Sequence, residues 1–449
     1  GTYNNGTKLI TLNRNDGNNY TVDLSSIDVN DTYVTGGTVT TGGTLELFRN
    51  DNVTVSIPKV TYWTSGSTGN YSIKAINDSG LDATGNYAVA EGYNTTASGD
   101  YSHAEGFLTK AIGDRSHAEG GGTIASGYSA HAEGSESTAI GAVSHAEGDN
   151  TTAIGDTSHA EGFTTRSIGS YSHAEGAYSI ASGNSAHAEG YNTRANGPNS
   201  HSEGTNTTAQ GNNSHAEGEL TKALANWSHA EGYYTTTTGS NSHAEGSNTT
   251  AIGNASHAEG VGTIASGYSA HAEGYNTASN GDYSHSEGYY TTATGLYSHS
   301  EGYYSTAIGD ESHAEGIYTI ASGISAHAEG AETTAAGESS HAEGYSTRAL
   351  GDRSHTEGQN TIAMGTSSHA EGNQSSAVGL YSHAEGWGTT ASGTSSHAEG
   401  YSTKANGLRS HAEGQNTKAI GTGSHAEGNS TTAIGNLSLI HISEPTRRY

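Results

Sequence analysis

The sequence predicts an all-β protein, namely a long parallel β-solenoid built from coils of fourteen residues. Composition supports a thin interior, because the 449 residues include 65 Gly but only 3 Phe, 3 Trp and 1 Met. With 3 Pro and no Cys, neither a collagen pattern nor a disulfide scaffold fits. Low hydrophobicity and a net charge of -29 are typical of disorder. A strict internal repeat outweighs that tendency, because stacked repeats order a polar chain through backbone hydrogen bonds.

Histidine marks the repeat. Of 25 His, 24 recur every fourteen residues from His103 to His425, without any insertion. With His as position 1, the unit is H-A-E-G-x-x-T-x-A-x-G-x-x-S, as in residues 103–116. One earlier coil has Val89 in the His position, and a degraded coil before it keeps Ala83 and Gly85 in register. The sequence therefore predicts a fourteen-residue-repeat solenoid over residues 89–436.

Each unit contains two five-residue segments, S-H-A-E-G and T-x-A-x-G, joined by two-residue turns. Alternating side chains in a strand point to opposite faces, so Ser, Ala and Gly oppose His and Glu. The small positions accept only small substitutes, such as Ser202 or Thr356 for Ala. We therefore predict that Ser, Ala, Thr and Gly lie inside each coil and that pairs such as Lys110 and Ile112 lie outside. Coils stacked about 4.8 Å apart would form a rod roughly 115 Å long.

This repeat resembles the head repeat of YadA-like trimeric autotransporter adhesins, whose usual unit contains S-V-A-I-G. The resemblance covers residues 83–436. It implies a left-handed parallel β-roll (a β-solenoid), three chains around one axis, and binding rather than catalysis. The SHAEG variant is also similar to repeats of phage tail-fibre and other virion proteins. His103, Glu105 and their counterparts occupy the positions that are usually Val and Ile, so the chain departs from a dry, apolar threefold interface.

The two ends have a different character. Residues 1–70 are predicted to form a small β module with hairpins around Asp16-Gly17 and around residues 50–52, and residues 71–88 an entry or capping coil. Residue 1 is Gly, so we expect the natural N-terminus to lie upstream. Leu439 stands where the period requires His, and the segment LSLIHISEPTR resembles a translated sequencing-library adapter. Residues 437–449 are therefore expected not to be native.

Ser, His and Glu occur together in each unit, which raises the possibility of a catalytic triad. On a strand, however, Ser102 and His103 point to opposite faces, so the hydroxyl cannot meet the neighbouring imidazole. Repetition in every coil also favours a structural role. We therefore predict a non-catalytic protein that requires no cofactor.

The His and Glu side chains are predicted to form parallel columns along one face. The favoured interpretation is a structural ladder in which imidazole donates to carboxylate within or between coils. In a trimer this face is the best candidate for the axis, because only a uniform face can mate with itself at every layer. Like charges about 4.8 Å apart predict neutral His and shared protons. Metal or anion coordination by the imidazoles and an exposed acidic ligand-binding face remain alternatives; no metal site is assigned, because the spacing lacks a discriminating signature. The ladder begins with His103, Glu105, His117, Glu119, His131 and Glu133.

Tyrosine collects at the turns, where exposed rings could stack against the sugars of a host glycan. The alternative is that these rings only cover the edge of the coil. The candidate ligand-contact residues are Tyr233, Tyr234, Tyr289, Tyr290, Tyr303 and Tyr304.

The acidic charge disfavours nucleic acid and anionic membranes as partners. No run of about 18 apolar residues is present, so membrane insertion is not expected.

The leading hypothesis is a homotrimeric phage tail-fibre or tail-spike shaft, located in the virion and mediating attachment to a host receptor or glycan. The alternative is the head of an adhesin on the outer-membrane surface of a bacterium, outside the cell.

Overall fold

The computed structural model describes residues 63–75 and 82–441 continuously, and six strands within residues 1–57. These six strands form two antiparallel three-stranded sheets. The first comprises β1 (Thr2–Asn4), β2 (Leu9–Asn13) and β3 (Asn19–Asp23), and the second β4 (Val34–Val39), β5 (Leu45–Arg49) and β6 (Thr54–Ile57). Pairing of β2 with β3 and of β5 with β6 confirms both predicted hairpins as strand pairs. Their turns, at residues 14–18 and 50–53, lie outside the described residues.

A short hairpin begins the solenoid. Strand β7 (Trp63–Ser65) pairs antiparallel with β8 (Ile73–Ala75), so the hairpin joins residues on both sides of the predicted boundary at 70/71. Strand β8 then pairs parallel with the strand that begins at Val89. A second sheet begins with β9 (Asp82–Ala83), which pairs parallel with Thr96–Ala97. Both sheets of the solenoid therefore begin before the first His-bearing coil.

The rest of the described chain is a parallel β-solenoid of about 26 turns with fourteen-residue coils, as predicted. Each coil adds one strand to each sheet. First-sheet strands start at position 1 and span five residues, from Val89–Tyr93 to His425–Asn429, but only two residues in the coils of His117, His131, His341 and His355. Second-sheet strands span positions 8 and 9, from Thr96–Ala97 to Thr432–Ala433. Neighbouring coils pair without any shift, so His pairs with His and Ala with Ala.

The last described strand, Leu439–His441, continues the first sheet by pairing with His425–Glu427. Leu439 thus occupies the position at which the repeat would place the next His. The expectation that residues 437–449 are not native remains a prediction.

The turns have a conformation that the repeat alone does not reveal. Positions 6 and 13 are left-handed in nearly every coil, with φ of 60° at both Leu108 and Arg115. This conformation turns the amide back toward the preceding coil, so Leu108 N–H donates to Tyr93 O and Arg115 N–H to Asp100 O, each at 2.8 Å. Strand amides donate in the other direction, as His103 N–H does to Ser116 O at 2.9 Å. Each coil is therefore bonded to both neighbours along its perimeter.

Small side chains fill the interior, which confirms the predicted orientation of the strands. The Ala residues at positions 2 and 9, such as Ala104 and Ala111, are fully buried, and so is Thr109. The Ser at position 14 is also buried, and in most coils its hydroxyl donates to the backbone, as Ser102 does to Gly99 O at 2.7 Å. Some Ser that replace an inner Ala gain a partner across the coil, since Ser202 Oγ lies 2.7 Å from Thr207 Oγ1, whereas Ser300 Oγ has no hydrogen-bond partner.

Glycine at position 11 is required by the close approach of successive coils. A Cβ added to Gly281 would lie only 2.0 Å from the carbonyl oxygen of Gly295. Ala225 is the exception in the sequence. In ordinary coils the backbone amide of position 14 donates to the carbonyl of position 11, as Ser284 does to Gly281 at 3.2 Å. Among the described residues, two successive coils lack this bond and retain only the hydroxyl contact: Ser228 with Ala225, at 2.7 Å, and Ser242 with Gly239, at 2.5 Å.

We expect Gly281→Ala to destabilise the rod by about 1–3 kcal/mol, because the added methyl must displace backbone in the next coil. Ala225→Gly is the matched reverse change and should raise stability, since it restores the bond pattern of most other coils. Urea unfolding followed by circular dichroism measures both effects. Equal stability of Gly281→Ala and the parent chain would contradict the packing argument.

Candidate functional site on the histidine and glutamate face

The histidine column runs along the outer face of the first sheet. Ring centroids of successive His lie 4.6 to 4.9 Å apart from His103 to His425. Most rings are nearly parallel, but His201 and His215 are tilted by 43°. The side chains are 33% to 39% exposed, so the column is half-buried within a single chain. The parallel, unshifted pairing of the coils imposes this stacking.

The glutamate column lies beside it. In most coils Nε2 of His lies 3.4 to 4.0 Å from Oε2 of the Glu two residues later. Some carboxylates contact two imidazoles; the two oxygens of Glu133 each lie 3.8 Å from an Nε2, one of His131 and one of His145. From His117 to His425 the Nε2 atoms are buried and lack a hydrogen-bond partner. The imidazole-to-carboxylate hydrogen bond expected for the ladder is therefore not formed at these residues, because the contacts are too long or poorly aligned.

Burial lowers the pKa of many imidazoles, and neighbouring imidazoles lower it further. The pKa of His299 falls to about 4. The same direction holds for His117, His131, His145, His173, His201, His229, His243, His271, His327, His355, His383, His397 and His411. These groups are neutral at pH 7, because protonation would place a charge in a partly desolvated column next to other imidazoles.

Neighbouring carboxyl groups share protons. A hydrogen bond with Glu329, followed by burial and a hydrogen bond with Glu357, raises the pKa of Glu343 to about 7. The same hydrogen bond lowers the pKa of Glu329. Hydrogen bonding to Glu105 likewise raises the pKa of Glu91. Stacking at one coil pitch thus makes a protonated carboxyl the donor to its ionised neighbour.

The two outer faces carry opposite charge. Position 3 places a Glu in every coil on the first face, and the Gly at position 4 leaves an open groove beside the column, with a volume of about 940 Å³ along residues 91–162. The outer face of the second sheet has no such uniform column. It mixes exposed Ile, such as Ile112, with the exposed cations Lys110, Arg166, Arg194, Lys222, Arg348, Lys404 and Lys418.

Four of the six predicted tyrosines come together. Tyr289 stacks on Tyr303 at 5.1 Å, and Tyr290 on Tyr304 at 4.9 Å. Tyr275 and Tyr318, which the sequence prediction did not include, extend this group by stacking on Tyr289 at 5.0 Å and Tyr304 at 5.3 Å. Aligning positions 5 and 6 of successive coils would have found both. We call these rings the tyrosine patch: Tyr275, Tyr289, Tyr290, Tyr303, Tyr304 and Tyr318.

Tyr233 and Tyr234 lie apart from the tyrosine patch. They contact each other at 5.5 Å, and both are exposed. The neighbouring coils have Ser247 and Glu219 at the positions next to Tyr233, so no column of rings forms there.

The Ser that precedes most of the His residues takes no part in the outer face. Ser102 is 1% exposed, and its hydroxyl points inward. The strand geometry that argued against a catalytic triad is thus present in the structure. Among the described residues, none belongs to a helix long and apolar enough to cross a bilayer.

The architecture defines the class of protein: a parallel β-solenoid with fourteen-residue coils, a small-residue interior and uniform outer columns. The model of the YadA head domain repeat matches thirteen segments of the chain, which together cover more than half of it. The chain therefore belongs to the YadA head repeat family, as the resemblance in the sequence indicated. The matched residues are 83–109, 118–144, 132–158, 146–162, 167–186, 202–219, 230–256, 258–284, 286–312, 300–326, 314–340, 357–382 and 412–438. No curated protein matches the chain.

Membership of this family makes the chain a structural, adhesive protein of the autotransporter-adhesin type, exposed outside the cell. Its features are structural rather than enzymatic.

We expect the stability of the rod to fall as the pH is lowered from about 6.5 to about 4, the interval between the ordinary pKa of His and that of His299. A depressed folded pKa means that the unfolded chain binds protons first, so acid favours unfolding. Carboxyl groups with a raised pKa act oppositely, but Glu91, Glu175, Glu301 and Glu343 are fewer than the affected imidazoles. Thermal melting at constant ionic strength measures the trend.

The control replaces His271, His299 and His327, all of which have a lowered pKa, by Asn, which should make the decline shallower. General charge repulsion predicts the opposite sign, since protonation reduces the net charge of -29. A melting temperature that rises steadily between pH 6.5 and 4 would show that the histidine column does not control acid stability.

Proposed function

We propose that the chain is the rod of a homotrimeric attachment protein, which holds binding surfaces away from the particle or cell that bears it and contacts a host receptor or glycan. The observation that supports this most directly is the run of YadA head repeats between residues 83 and 438. Such a rod needs length and regularity rather than an active site, and the stacked coils supply both.

The His and Glu columns are the face that we place on the threefold axis. The first face presents the same two side chains in all 24 His-bearing coils, so three copies could meet in the same way at each layer. The second face changes from Lys110 to Ile124 in successive coils and offers no such regularity. Half-buried, mostly neutral imidazoles also lose less solvation on association than charged ones would.

The rod could belong to either of two structures, a bacterial cell surface or a phage tail. The family match favours the head of an adhesin on a bacterial cell surface. Replacement of the family's usual Val and Ile by His and Glu, together with the N-terminal β module, supports a phage tail fibre or tail spike instead. Immunogold labelling of cells and phage particles from the source organism distinguishes the two, because the label would decorate the cell envelope in one case and the virion tail in the other.

The tyrosine patch is the surface that we propose for host contact. Its six exposed rings form two adjacent columns at one edge of the rod, spaced about 5 Å apart. Aromatic rings with a polar hydroxyl provide apolar area and hydrogen-bonding capacity together, which suits a sugar ring. Tyr233 and Tyr234 form a smaller aromatic surface, because both rings belong to one coil and no ring stacks on Tyr233 from the coils beside it.

We expect the chain to have three times its mass of 45.8 kDa in solution. Glu189→Lys should weaken the trimer, because three Lys ammonium groups in one layer at the axis stay charged at pH 7 and repel one another, whereas carboxyl groups can share protons. Arg194→Glu changes charge in the same coil but on the other face, and should leave the trimer intact. Analytical ultracentrifugation over a concentration series measures both.

A monomeric parent chain would refute the trimer and leave the His and Glu columns in solvent. If only Arg194→Glu dissociated the trimer, the second face would lie on the axis.

Replacing Tyr289 and Tyr303 by Ala should reduce binding to host cells at least about tenfold, since an aromatic anchor at an interface typically contributes more than about 1 kcal/mol. The double substitution of Tyr233 and Tyr234 removes the same number of rings outside the tyrosine patch and should have little effect. Flow cytometry with fluorescent protein measures binding. Equal losses in both variants, or none in either, would exclude the tyrosine patch as the contact surface.

A further inference from the structure

The unpartnered nitrogen atoms of the histidine column form a repeated set of metal ligands. A ring nitrogen of one His, a carboxylate oxygen of the same coil and a ring nitrogen of the next His lie within 4.8 Å of one another in group after group along the rod. His131, Glu133 and His145 form one such group, and His145, Glu147 and His159 form the next. Two imidazoles and a carboxylate are a ligand set typical of Zn²⁺ and related divalent transition metals.

Distances within these groups are close to those of a metal centre. Ligands held about 2.0–2.1 Å from a tetrahedral Zn²⁺ lie about 3.3 Å from each other. Nε2 of His159 lies 3.3 Å from Oε1 of Glu147, and Nε2 of His145 lies 3.9 Å from Oε2 of the same carboxylate. The carboxylate therefore already lies between two imidazoles of neighbouring coils.

The two nitrogen atoms must approach each other more closely than parallel stacking allows. Tilting one ring relative to the next achieves this, and the column accommodates tilt, because His201 and His215 differ by 43° at an unchanged centroid distance of 4.8 Å. A metal ion would also satisfy Nε2 atoms that are buried and lack any hydrogen-bond partner.

We propose that neighbouring coils bind divalent transition-metal ions between them, each ion held by two successive His and the Glu between them. Each Nε2 serves one ion, so an ion occupies two coils and the 24 His-bearing coils take about twelve ions per chain. The sites lie within one chain, so they do not depend on trimerisation or host binding. Their failure would leave the proposed attachment role unchanged.

The stoichiometry of Zn²⁺ binding tests this pairing. Tag-free full-length protein is dialysed against Zn²⁺, and bound metal is measured by inductively coupled plasma mass spectrometry. We expect saturation at about twelve ions per chain. About twenty-four would indicate independent binding at single His, and about eight would indicate one ion shared by three chains per layer; either overturns the proposal.

Two variants with equal composition sharpen the test. The block variant replaces the twelve His from His271 to His425 by Asn and leaves the first twelve coils intact. The alternate variant replaces every second His, starting at His117 and ending at His425, so that no two neighbouring coils both retain His. The proposal predicts about six ions for the block variant and less than about one for the alternate variant.

Equal retention of about half the metal by both variants would overturn the pairing between coils, since single-site and shared-layer binding both predict that result. Circular dichroism and thermal melting establish that both variants fold. If the alternate variant does not fold, the wild-type stoichiometry decides the question by itself.

Discussion

Backbone hydrogen bonding between successive coils is the interaction on which the rest of this structure depends. The interior consists of Ala, Ser, Thr and Gly, so one coil buries too little carbon to be stable alone. Strand amides donate toward the next coil, and the left-handed turn residues donate toward the preceding one. This two-way bonding closes the perimeter of each coil and fixes its pitch.

The fixed pitch explains the small residues. Gly at position 11 faces the carbonyl of the next coil so closely that a methyl group has no room, and the turn hydrogen bond is absent in the coil of Ala225 and in the following coil, at Gly239. Most of the Ser at position 14 donate to a carbonyl of their own coil, as Ser102 and Ser144 do, whereas many inner Thr hydroxyls, such as that of Thr109, have no hydrogen-bond partner. Because the closely spaced coils exclude large side chains from the interior, the large, charged and variable side chains lie on the outside.

Outside, the unshifted register places each side chain over its counterpart. Positions that hold the same residue in every coil therefore form columns, even where this brings like charges close together. In the histidine column, burial and neighbouring rings lower the pKa, and in the glutamate column, adjacent carboxyls such as Glu329 and Glu343 share a proton. Variable positions give local surfaces instead, of which the tyrosine patch is the most extensive aromatic example among the described residues. Thus the uniform positions of a coil build the regular columns, and the variable positions of the same coil form the local surfaces that could bind a partner.

The sequence by itself determined the coil length, the two strands, the inward Ser, Ala, Thr and Gly, and the outward His and Glu, because a strict fourteen-residue period and strand alternation leave only one register. Tertiary structure decided the left-handed residues at position 13, since Arg115 and many other residue types occur there without a common signal, whereas Asn or Gly at position 6 in eleven of 25 coils is a partial signal in the sequence. It also decided that Nε2 of His117 and its successors makes no hydrogen bond to carboxylate, and that Tyr275 and Tyr318 join the tyrosine patch while Tyr233 and Tyr234 do not. Those outcomes depend on distances between coils, and a distance between coils follows from the backbone pitch rather than from the order of residues within one coil.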